Sequence, residues 1–367
     1  MSAAIALRQA GIDAHVYEKA ERLQEVGAAI ALWPNATLVL KRLGVLESLA
    51  RKSAPILESE IRTWRGRPIK KWTIPVLETP ALFTHRADLQ AILLEAVPHS
   101  VLHTGKSCVA LDEREDRVTA RFSSGETVQA DGVVGADGLH SSIRALLHGA
   151  DRPGYRGYTM WRSVVPFAHP ALRHGLKIEW WGPGRRFGIA LNGLGRMNWY
   201  AAANVSQPPK EQTGNLREDL LKMFSGWAGP VCEVIGATEE SAILQNAILD
   251  RPPLAQWGRK AVTLLGDAAH PTSPNLGQGA GMAIEDALCL AQCVRGATRL
   301  PDAFRRYEAL RKKRANGTTK GSGLVGNMAQ WSHPLLVAAR TAFLRTFPVR
   351  LWERQLKKMY SYKLEIS

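Results

Sequence analysis

The sequence predicts an α/β fold that is interrupted by an antiparallel β-sheet and followed by a helical C-terminal region. Residues 132–135 (GVVG) and 262–265 (VTLL) are short apolar runs that each lead into an aspartate, a pattern typical of buried strands in an α/β sheet. Between them, residues 154–203 are rich in Trp, Tyr and Gly and alternate in polarity, which indicates antiparallel strands. With 367 residues, 45% of them hydrophobic, the chain can bury the core of two or three structural units.

Charge and cysteine content limit the classes of function. The net charge is +15, but Lys and Arg are scattered and no helix-turn-helix or zinc signature accompanies them, so we expect no nucleic-acid partner and no metal site. A basic field that attracts anionic dinucleotides or acidic substrates fits better. No apolar run approaches the ~18–20 residues of a membrane span. Residues 1–11 lack signal-peptide features and the four cysteines form no CxxC pair, which predicts a cytoplasmic protein without an integral membrane segment.

The most informative stretch is residues 266–287, GDAAHPTSPNLGQGAGMAIEDA. Asp267 ends a predicted strand, at the sheet edge where α/β proteins bind ligands. A loop with two prolines follows, then Gly277-Gln278-Gly279 and an apolar helix over 280–294. Glycines at a helix start expose backbone N–H groups, and the positive end of the helix dipole favours an anion there. The pattern predicts a polyol or phosphate ligand at Asp267 and an electron-rich ring at the helix start.

The segments GDAAHP, PNLGQG and AIEDA of this stretch closely resemble the second flavin motif of the FAD-dependent aromatic hydroxylases, the p-hydroxybenzoate hydroxylase-like flavoprotein monooxygenases. The resemblance implies that Asp267 holds the ribityl chain of FAD. It also implies that Gly277, Gln278 and Gly279 at the helix start face the N1–C2=O edge of the isoalloxazine and stabilise its reduced anion, and that Pro274 in the preceding loop belongs to the cofactor site.

The resemblance also implies an activity. In this family NADH or NADPH reduces FAD, and O2 adds to the flavin to give a C4a-hydroperoxide. The distal oxygen then passes to a small, electron-rich substrate that is aromatic or heteroaromatic. The protein supplies the cofactor site, orientation and a dry cavity, and no metal is required.

The N-terminus departs from the family pattern. Residues 2–10 read as a helix closed by Gly11, and residues 12–17 as a strand that ends at Glu18, an acidic residue suited to the ribose hydroxyls of FAD. The strand and GxGxxG turn that should precede this helix are absent from the sequence. Either the true start lies upstream, which the intact remaining motifs favour, or the protein is truncated and binds FAD poorly.

The next segments carry weaker signals. Residues 27–30 and 34–36 resemble the family segment close to the flavin, and residues 61–74 read as a hairpin. Arg86 opens an amphipathic helix and resembles the family arginine that contacts FAD, although a solvated arginine at a helix start has the same pattern. Residues 107–130 predict a β-meander with a Ser-Gly turn.

A second aspartate motif follows the meander. Residues 132–138, GVVGADG, read as a buried strand that ends at Asp137 and Gly138. They resemble the DG motif of the family, which implies that Asp137 lies near the FAD pyrophosphate and the path of the pyridine nucleotide. Two strand ends that both carry an aspartate are more specific than either alone.

The antiparallel strands of residues 154–203 occupy the place of the family's substrate domain. Arg162 follows Trp161 as in a recurrent family pair and could bind an acidic substrate, brace the flavin cavity or form a structural ion pair. Trp199 and Tyr200 could line an aromatic pocket or pack within the sheet.

No catalytic base can be named from the sequence. Some family members carry a His or Tyr base on the strand that corresponds to residues 186–192, and this chain has neither residue there. Asn275 is a neutral amide beside the expected flavin, so the sequence does not support deprotonation of a substrate by a carboxylate at that position.

The whole pattern predicts a Rossmann-like FAD-binding domain with an inserted antiparallel β substrate domain and a helical C-terminal region. In the last region, residues 317–326 read as a flexible connector, and residues 334–360 as basic amphipathic helices that cover the FAD domain, form a dimer or touch a membrane. The chain is expected to be a monomer or homodimer. The predicted boundaries are 1–60, 81–153 and 250–300 for the FAD-binding domain, 61–80 and 154–249 for the substrate domain, and 301–367 for the helical region.

Two alternatives to an aromatic hydroxylase stay open. A flavin-dependent epoxidase or a urate-type hydroxylase has the same motifs. A truncated, flavin-free remnant that acts as a basic binding protein belongs to another class of function, and a salt-sensitive nucleic-acid affinity without flavin would support it.

Overall fold

The computed structural model of the protein describes residues 1–23, 28–114, 116–170, 172–209 and 215–361. The motif glycine Gly27 falls outside these residues. The described chain is a mixed α/β structure with one large sheet, several small sheets and a helical C-terminal region.

The strands are β1 (Val16–Tyr17), β2 (Ala29–Leu32), β3 (Ala54–Pro55), β4 (Glu58–Thr63), β5 (Pro68–Thr73), β6 (Leu82–His85), β7 (Leu102–His103), β8 (Cys108–Glu113), β9 (Val118–Phe122), β10 (Thr127–Ala130), β11 (Val133–Gly135), β12 (Gly154–Val165), β13 (Leu176–Gly182), β14 (Arg185–Leu191), β15 (Met197–Asn204), β16 (Leu244–Asp250) and β17 (Val262–Leu264). The helices are α1 (Ser2–Gln9), α2 (Pro34–Arg42), α3 (Leu46–Lys52), α4 (Arg86–Glu95), α5 (Ser142–His148), α6 (Leu216–Met223), α7 (Val231–Gly236), α8 (Gly279–Val294), α9 (Leu300–Ala329), α10 (Pro334–Thr346) and α11 (Val349–Tyr360).

Short parallel strand pairs support the ligand-binding edge. β1 pairs with β7, and β11 pairs with β17. The β11–β17 pair is apolar and buried because α8 and α9 cover it, with Val262, Leu264, Leu290 and Phe304 in one core. α8 packs against α1, α2 and α9, so the helix that begins at the predicted flavin motif is the centre of this part of the molecule.

The large sheet has seven strands in the order β16-β12-β15-β14-β13-β4-β5. Its neighbours are antiparallel except for β13 and β4, which run parallel. One face packs against α6 and α7 through an aromatic and aliphatic core that includes Trp180 and Phe187. The opposite face carries Arg162, Arg186 and Tyr200, because alternate residues of a strand point to opposite sides.

Several local predictions are confirmed. β4 and β5 form the expected hairpin, and Gly66 in its turn has a φ of +84°. β8, β9 and β10 form the expected meander. The four strands predicted within 154–203 are β12 to β15, whereas β16 on the sheet edge was not predicted.

The prediction of a flexible connector at residues 317–326 is wrong. α9 runs without a break from Leu300 to Ala329. One of its glycines serves close packing, because a Cβ on Gly326 would lie 2.3 Å from Nδ2 of Asn275. Glycine is therefore required at position 326, where α9 passes the 274–276 turn, and it does not mark a flexible segment.

The C-terminal segment 334–360, predicted to hold one or two helices, contains two, α10 and α11. They pack on β5, and the end of α11 reaches α2. Among the described residues, no helix combines the length and the apolar character needed to cross a bilayer.

Candidate active site

The two aspartate motifs lie at the same edge of a sheet. β11 and β17 are parallel and in register from Val133↔Val262 to Gly135↔Leu264, so Asp137 and Asp267 follow neighbouring strand ends. This is the edge at which α/β proteins bind ligands.

Asp137 caps α5. Its carboxylate accepts hydrogen bonds from Ser141 Oγ at 2.5 Å, from the backbone N–H of Ser142 at 2.7 Å and from that of Ile143 at 3.2 Å. Gly138 has a φ of +79°, which lets the chain turn from β11 into this cap. The side chain remains exposed, so Asp137 both shapes the turn and places a negative charge at its surface.

Arg144 connects the two motifs. This buried guanidinium on α5 donates to the carbonyl of Ala268 at 3.2 Å, directly after Asp267, and to Asp151 Oδ2 at 3.4 Å. The helix that Asp137 caps is thereby fixed to the turn that carries Asp267.

Asp267 lies in the 3-10 turn Gly266–Ala268 that follows β17. Its side chain is exposed, yet the surrounding protein partly desolvates it and raises the pKa of the carboxyl above its usual value. The charges of His270 and Arg86 oppose this rise, and Asp286 adds to it. The carboxylate is therefore accessible to a ligand but lies in a recess.

The start of α8 adjoins this recess. Gly277 adopts the left-handed conformation with φ 61°, and the N-cap residue Gln278 makes no side-chain hydrogen bond to the backbone N–H groups of the helix. The first backbone N–H groups of α8 have no intrahelical acceptors, and the positive end of the dipole lies with them. A Cβ on Gly279 would lie 3.9 Å from Oδ1 of Asp267, so the helix start and the carboxylate are neighbours.

Trp33 closes one side of the helix start. A Cβ on Gly277 would lie 3.0 Å from Nε1 of Trp33, so both the backbone conformation and the available space require glycine there. In the described part of the chain, the buried Trp33 Nε1 and Gln278 Nε2 have no hydrogen-bond partner. These features fit a ligand with an electron-rich planar ring and a hydroxylated chain, as FAD has. The accessible carboxylate can bind the hydroxyl groups, and the free backbone donors and unpaired buried N–H groups suit the ring.

A buried ionic network fixes the loop between Asp267 and α8. Asp286 Oδ2 accepts from the backbone N–H of Gly266 at 3.1 Å and contacts His270 Nε2 at 2.5 Å, and Oδ1 accepts from Arg311 Nε at 2.6 Å. Burial alone would raise the pKa of the Asp286 carboxyl, but the charges of His270 and Arg311 and their hydrogen bonds outweigh it and lower the pKa to about 2. Sequence reasoning missed this role, although Asp286 and Glu285 are two acidic residues in a mainly apolar helix.

A second part of the network reaches the C-terminal helix. Glu285 binds Arg314 through two hydrogen bonds of 2.6 and 2.7 Å, and Asn35 Nδ2 donates to Glu285 Oε1 at 2.6 Å and to Gln278 Oε1 at 3.0 Å. Arg314 also donates to the carbonyl of Met359 at 3.0 Å. The cap residue of α8 is thus connected, through α2 and α9, to the last turn of α11.

Arg86 and Arg162 extend the site toward the large sheet. Arg86 is exposed at the start of α4, and its backbone N–H donates to the carbonyl of Ala28 at 3.2 Å. Burial and the charge of Arg86 lower the pKa of Arg162, whose Nη2 donates to Asn246 Oδ1 at 2.7 Å. The charge of Arg86 acts on the carboxyl of Asp267 and on the guanidinium of Arg162, so these three predicted residues are electrostatically coupled.

Tyr200 lies beside Arg162 on the same face, whereas Trp199 does not. Arg162 and Tyr200 are cross-strand partners. A Cβ on Gly188 would lie 2.3 Å from the Tyr200 ring, so glycine makes room for it. Trp199 is 0% exposed on the opposite face, where Nε1 donates to Thr238 Oγ1 at 2.9 Å. The expectation that Trp199 lines the substrate pocket is therefore corrected: adjacent residues of a strand face opposite ways, and Trp199 faces the core.

Polar side chains that sequence reasoning did not assign lie on the same sheet face. Arg186 donates to Asn275 Oδ1 at 2.7 Å and to Gln330 Oε1 at 2.9 Å, and Asn275 Nδ2 donates to the Tyr158 hydroxyl at 3.0 Å. Asn275 is thus held by protein partners. No single segment contained the signal, because these residues come from β12, β14, α9 and the 274–276 turn.

Glu179 is a carboxylate on the face of the large sheet that also carries Arg186 and Tyr200. Burial would raise its pKa, but the positive charges of Lys177 and Arg186 and hydrogen bonds from Lys177 and Trp181 lower the pKa to about 2. Burial and the charge of Glu179 raise the pKa of Tyr200 well above its usual value, with Arg186 acting against them. Glu179 is therefore ionised and Tyr200 is a neutral hydrogen-bonding group at neutral pH.

Glu18 lies apart from these residues, after β1. Its Oε1 accepts from the backbone N–H of Ala20 at 2.9 Å, and its backbone N–H donates to the carbonyl of His103 at 2.8 Å. The position at the carboxyl end of a parallel strand is the one predicted for a ribose ligand.

Known proteins share both sequence and fold with this chain. The family described as FAD binding domain matches residues 1–322. Aurachin C monooxygenase/isomerase of Stigmatella aurantiaca is 37% identical over 345 residues, which cover 93% of this chain and 90% of that protein. 3-Amino-4-hydroxybenzoate 2-monooxygenase of Streptomyces cremeus is 37% identical over 323 residues, 86% of this chain and 81% of the relative.

A crystal structure of Klebsiella pneumoniae HpxO, complexed with FAD and uric acid, superimposes with a TM-score of 0.91 at 28% identity, covering 98% of this chain and 93% of HpxO. The family match extends over most of the chain, and the relatives are monooxygenases that act on aromatic or heteroaromatic compounds by name. Together with the accessible Asp267 and the glycine-flanked start of α8, these similarities show that the chain is an enzyme of the FAD-dependent aromatic monooxygenase family.

Proposed function

We propose that this protein uses NADH or NADPH, FAD and O2 to hydroxylate a small aromatic or heteroaromatic substrate that carries negative charge. The observation that carries the proposal is the exposed Asp267 carboxylate beside the glycine-flanked start of α8, on which the charge of Arg86 acts. Bound FAD would supply the redox chemistry, in which electrons from the nicotinamide are used to insert one atom of O2 into the substrate while the other atom leaves as water.

The residues around the recess hold the cofactor. The Asp267 carboxylate accepts hydrogen bonds from the hydroxyls of the ribityl chain. The backbone donors of Gly279 and its neighbours and the dipole of α8 stabilise negative charge on the ring, a contribution of about 0.3–1 kcal/mol that rises to ~2 kcal/mol in a partly buried site. Pro274 and Gly277 fix the path of the loop, and Glu18 binds the ribose. The capped turn at Asp137 and Gly138 lies beside the pyrophosphate.

The face of the large sheet holds the substrate. Arg162 is half-buried, and its Nε has no hydrogen-bond partner within the described residues, so it can bind a carboxylate or an enolate of the substrate. Tyr200 next to it supplies a ring edge and a neutral hydroxyl.

A second candidate within the same reaction class is a purine hydroxylase. The fold similarity to a protein crystallised with uric acid favours this substrate class. Membership in the family argues against the flavin-free binding protein.

The test is an oxygenation assay with the FAD-loaded protein. Oxidation of NADH or NADPH is followed with benzoic acids, hydroxypyridines, quinolines and purines, and products are analysed by mass spectrometry under isotopically labelled O2. We expect one substrate class to accelerate NAD(P)H oxidation and yield a product with one labelled oxygen. A product without label, or an absence of product from every class, would contradict the proposal.

A further inference from the structure

Helix α10 exposes several apolar side chains although it packs on β5 of the large sheet. Its inward residues are Leu344, 1% exposed, and Arg340, also 1% exposed, which donates to three carbonyls: Ala329 at 2.7 Å, Met328 at 3.2 Å and Gly182 at 3.2 Å. Among the outward residues, Leu335 is 74% exposed and Phe343 is 49% exposed. A surface helix normally places most of its apolar side chains toward the core, so these exposed side chains require an explanation.

The outward residues form one continuous strip. Residues 335, 339 and 343 follow each other at intervals of four, which places them on one helix face. Two more exposed aliphatic side chains lie at the start of α11, directly after α10. We call these exposed side chains together the C-terminal apolar surface, and its residues are Leu335, Leu336, Ala339, Phe343, Val349 and Leu351.

A dense positive charge borders the C-terminal apolar surface. Between residues 330 and 361 the only acidic residue is Glu353, which accepts a hydrogen bond from the backbone N–H of Thr73 at 3.1 Å. The exposed basic side chains in this segment are Arg345, Arg350, Arg354, Lys357 and Lys358.

The positive charge of this segment indicates which kind of partner binds to the C-terminal apolar surface. A two-fold dimer through this surface would bring the same basic residues of both copies close together, in a protein whose net charge is already +15. An anionic lipid surface instead satisfies both features, because acyl chains accept the apolar side chains and headgroups accept the arginines and lysines. α10 has 13 residues, fewer than the ~20 of a membrane span, so it lies in the plane of the interface.

We propose that the C-terminal apolar surface binds the protein peripherally to an anionic lipid bilayer, with Leu335 and Phe343 inserted at the headgroup boundary. The activity described above does not require this binding, and the binding does not require that activity. A bilayer-bound enzyme of this kind has direct access to substrates that partition into lipid.

The test uses the FAD-supplemented full chain in vesicle co-sedimentation. Vesicles of phosphatidylcholine alone are compared with vesicles that contain about 30% phosphatidylglycerol, an anionic surface. We expect binding only to the anionic vesicles.

The double variant Leu335→Ser, Phe343→Ser should weaken binding roughly tenfold or more because it removes the inserted side chains. The control Val109→Ser changes a side chain of matched exposure, 47%, on the meander strand β8 and should bind like the wild type.

Charge is tested separately with Arg350→Glu, Arg354→Glu against the control Arg117→Glu, an exposed arginine of the meander. Circular dichroism and gel filtration confirm the fold of each variant. The proposal is overturned if the wild type ignores anionic vesicles, or if the surface variants bind as tightly as the controls, which would indicate attraction by net charge alone. It is also overturned if the wild type is a dimer that Leu335→Ser, Phe343→Ser converts to a monomer, because the surface then serves a second copy.

Discussion

The indole of Trp33 and the phenol ring of Tyr360 stack with centroids 4.8 Å apart and an angle of 10° between their planes. Both side chains are buried, and Trp33 in turn borders Gly277 at the start of α8. The last turn of the last described helix therefore supports the flavin motif directly, a contact between residues far apart in the sequence.

Removing the Tyr360 ring should affect both stability and the cofactor site. We expect Tyr360→Ala to lower the free energy of unfolding by roughly 3–5 kcal/mol, as for other buried aromatic truncations, and to weaken FAD binding because Trp33 loses its support. Tyr360→Phe keeps the stack and should change either quantity little. Urea unfolding and fluorimetric FAD titration measure the two effects. Equal FAD affinity in Tyr360→Ala and wild type would show that the stack does not support the site.

The glycines of α9 give a matched pair of variants. Gly326→Ala should destabilise the protein by about 1–3 kcal/mol, because its Cβ would overlap Asn275. Gly317→Ala lies in the same helix with nothing within 4 Å of its Cβ, and should stabilise by roughly 0.5–1 kcal/mol through helix propensity. Thermal unfolding distinguishes the two. Stabilisation by both substitutions would show that the packing at Asn275 is loose.

The buried ion pair of Asp286 and Arg311 predicts a large effect of a single charge removal. Arg311→Met leaves the buried Asp286 carboxylate without the guanidinium of Arg311 and should lower the free energy of unfolding by about 3–5 kcal/mol. Arg259→Met removes an exposed partner of Glu113 and should cost ~0–1 kcal/mol. Denaturant unfolding of both variants at neutral pH provides the comparison, and a cost for Arg311→Met as small as for Arg259→Met would contradict this role.

Two carboxylates, Asp286 and Glu179, predict that the stability of the folded protein decreases in acid. The pKa of Asp286 and that of Glu179 are each lowered to about 2 in the folded protein. Unfolded Asp and Glu titrate at about 3.9 and 4.3, so the unfolded chain binds more protons between these values and pH 2. Stability from both groups is present above roughly pH 4 and is lost as the pH falls toward 2. Urea midpoints measured from pH 6 down to pH 3 should decrease, and a flat profile would contradict the low pKa values.

Arg162 should act on the substrate and not on the cofactor. We expect Arg162→Met to raise KM for an anionic substrate by about 10- to 100-fold, the loss of one charge-assisted hydrogen bond, while the Kd for FAD stays constant. Trp199→Phe, one residue from Tyr200 but on the core face, should lower stability without changing KM. Steady-state kinetics with FAD titrations separate these outcomes, and an unchanged KM in Arg162→Met would remove Arg162 from the substrate site.

Local sequence signals predicted much of the fold and the cofactor half of the site. Alternating polarity located β12 to β15, and the strand-Asp and GQG patterns located Asp267 and the start of α8. These signals suffice because each depends on residues adjacent in the chain. The predicted domain boundaries and the roles of individual site residues remain predictions.

Features that depend on distant partners were not predictable. The face of Trp199 depends on where α6 and α7 pack, and the helical state of 317–326 depends on the close approach of Asn275. Arg186 and Glu179 acquire their roles only when the sheet folds against the 274–276 turn and α9. In each case the sequence shows the residue type, but it does not show which distant residue will contact it in the folded protein.

The FAD site at Asp267 is tested by the visible spectrum of the purified chain after addition of FAD and desalting, for the wild type, Asp267→Ala and the control Asp131→Ala, an exposed aspartate two residues before β11. We expect flavin absorption bands that stay with the wild type and the control. We also expect a Kd for FAD at least about tenfold higher in Asp267→Ala, because hydrogen bonds to a charged carboxylate are lost. A wild type that retains no flavin, or an Asp267→Ala variant that binds FAD as tightly as the wild type, would contradict a FAD site at Asp267.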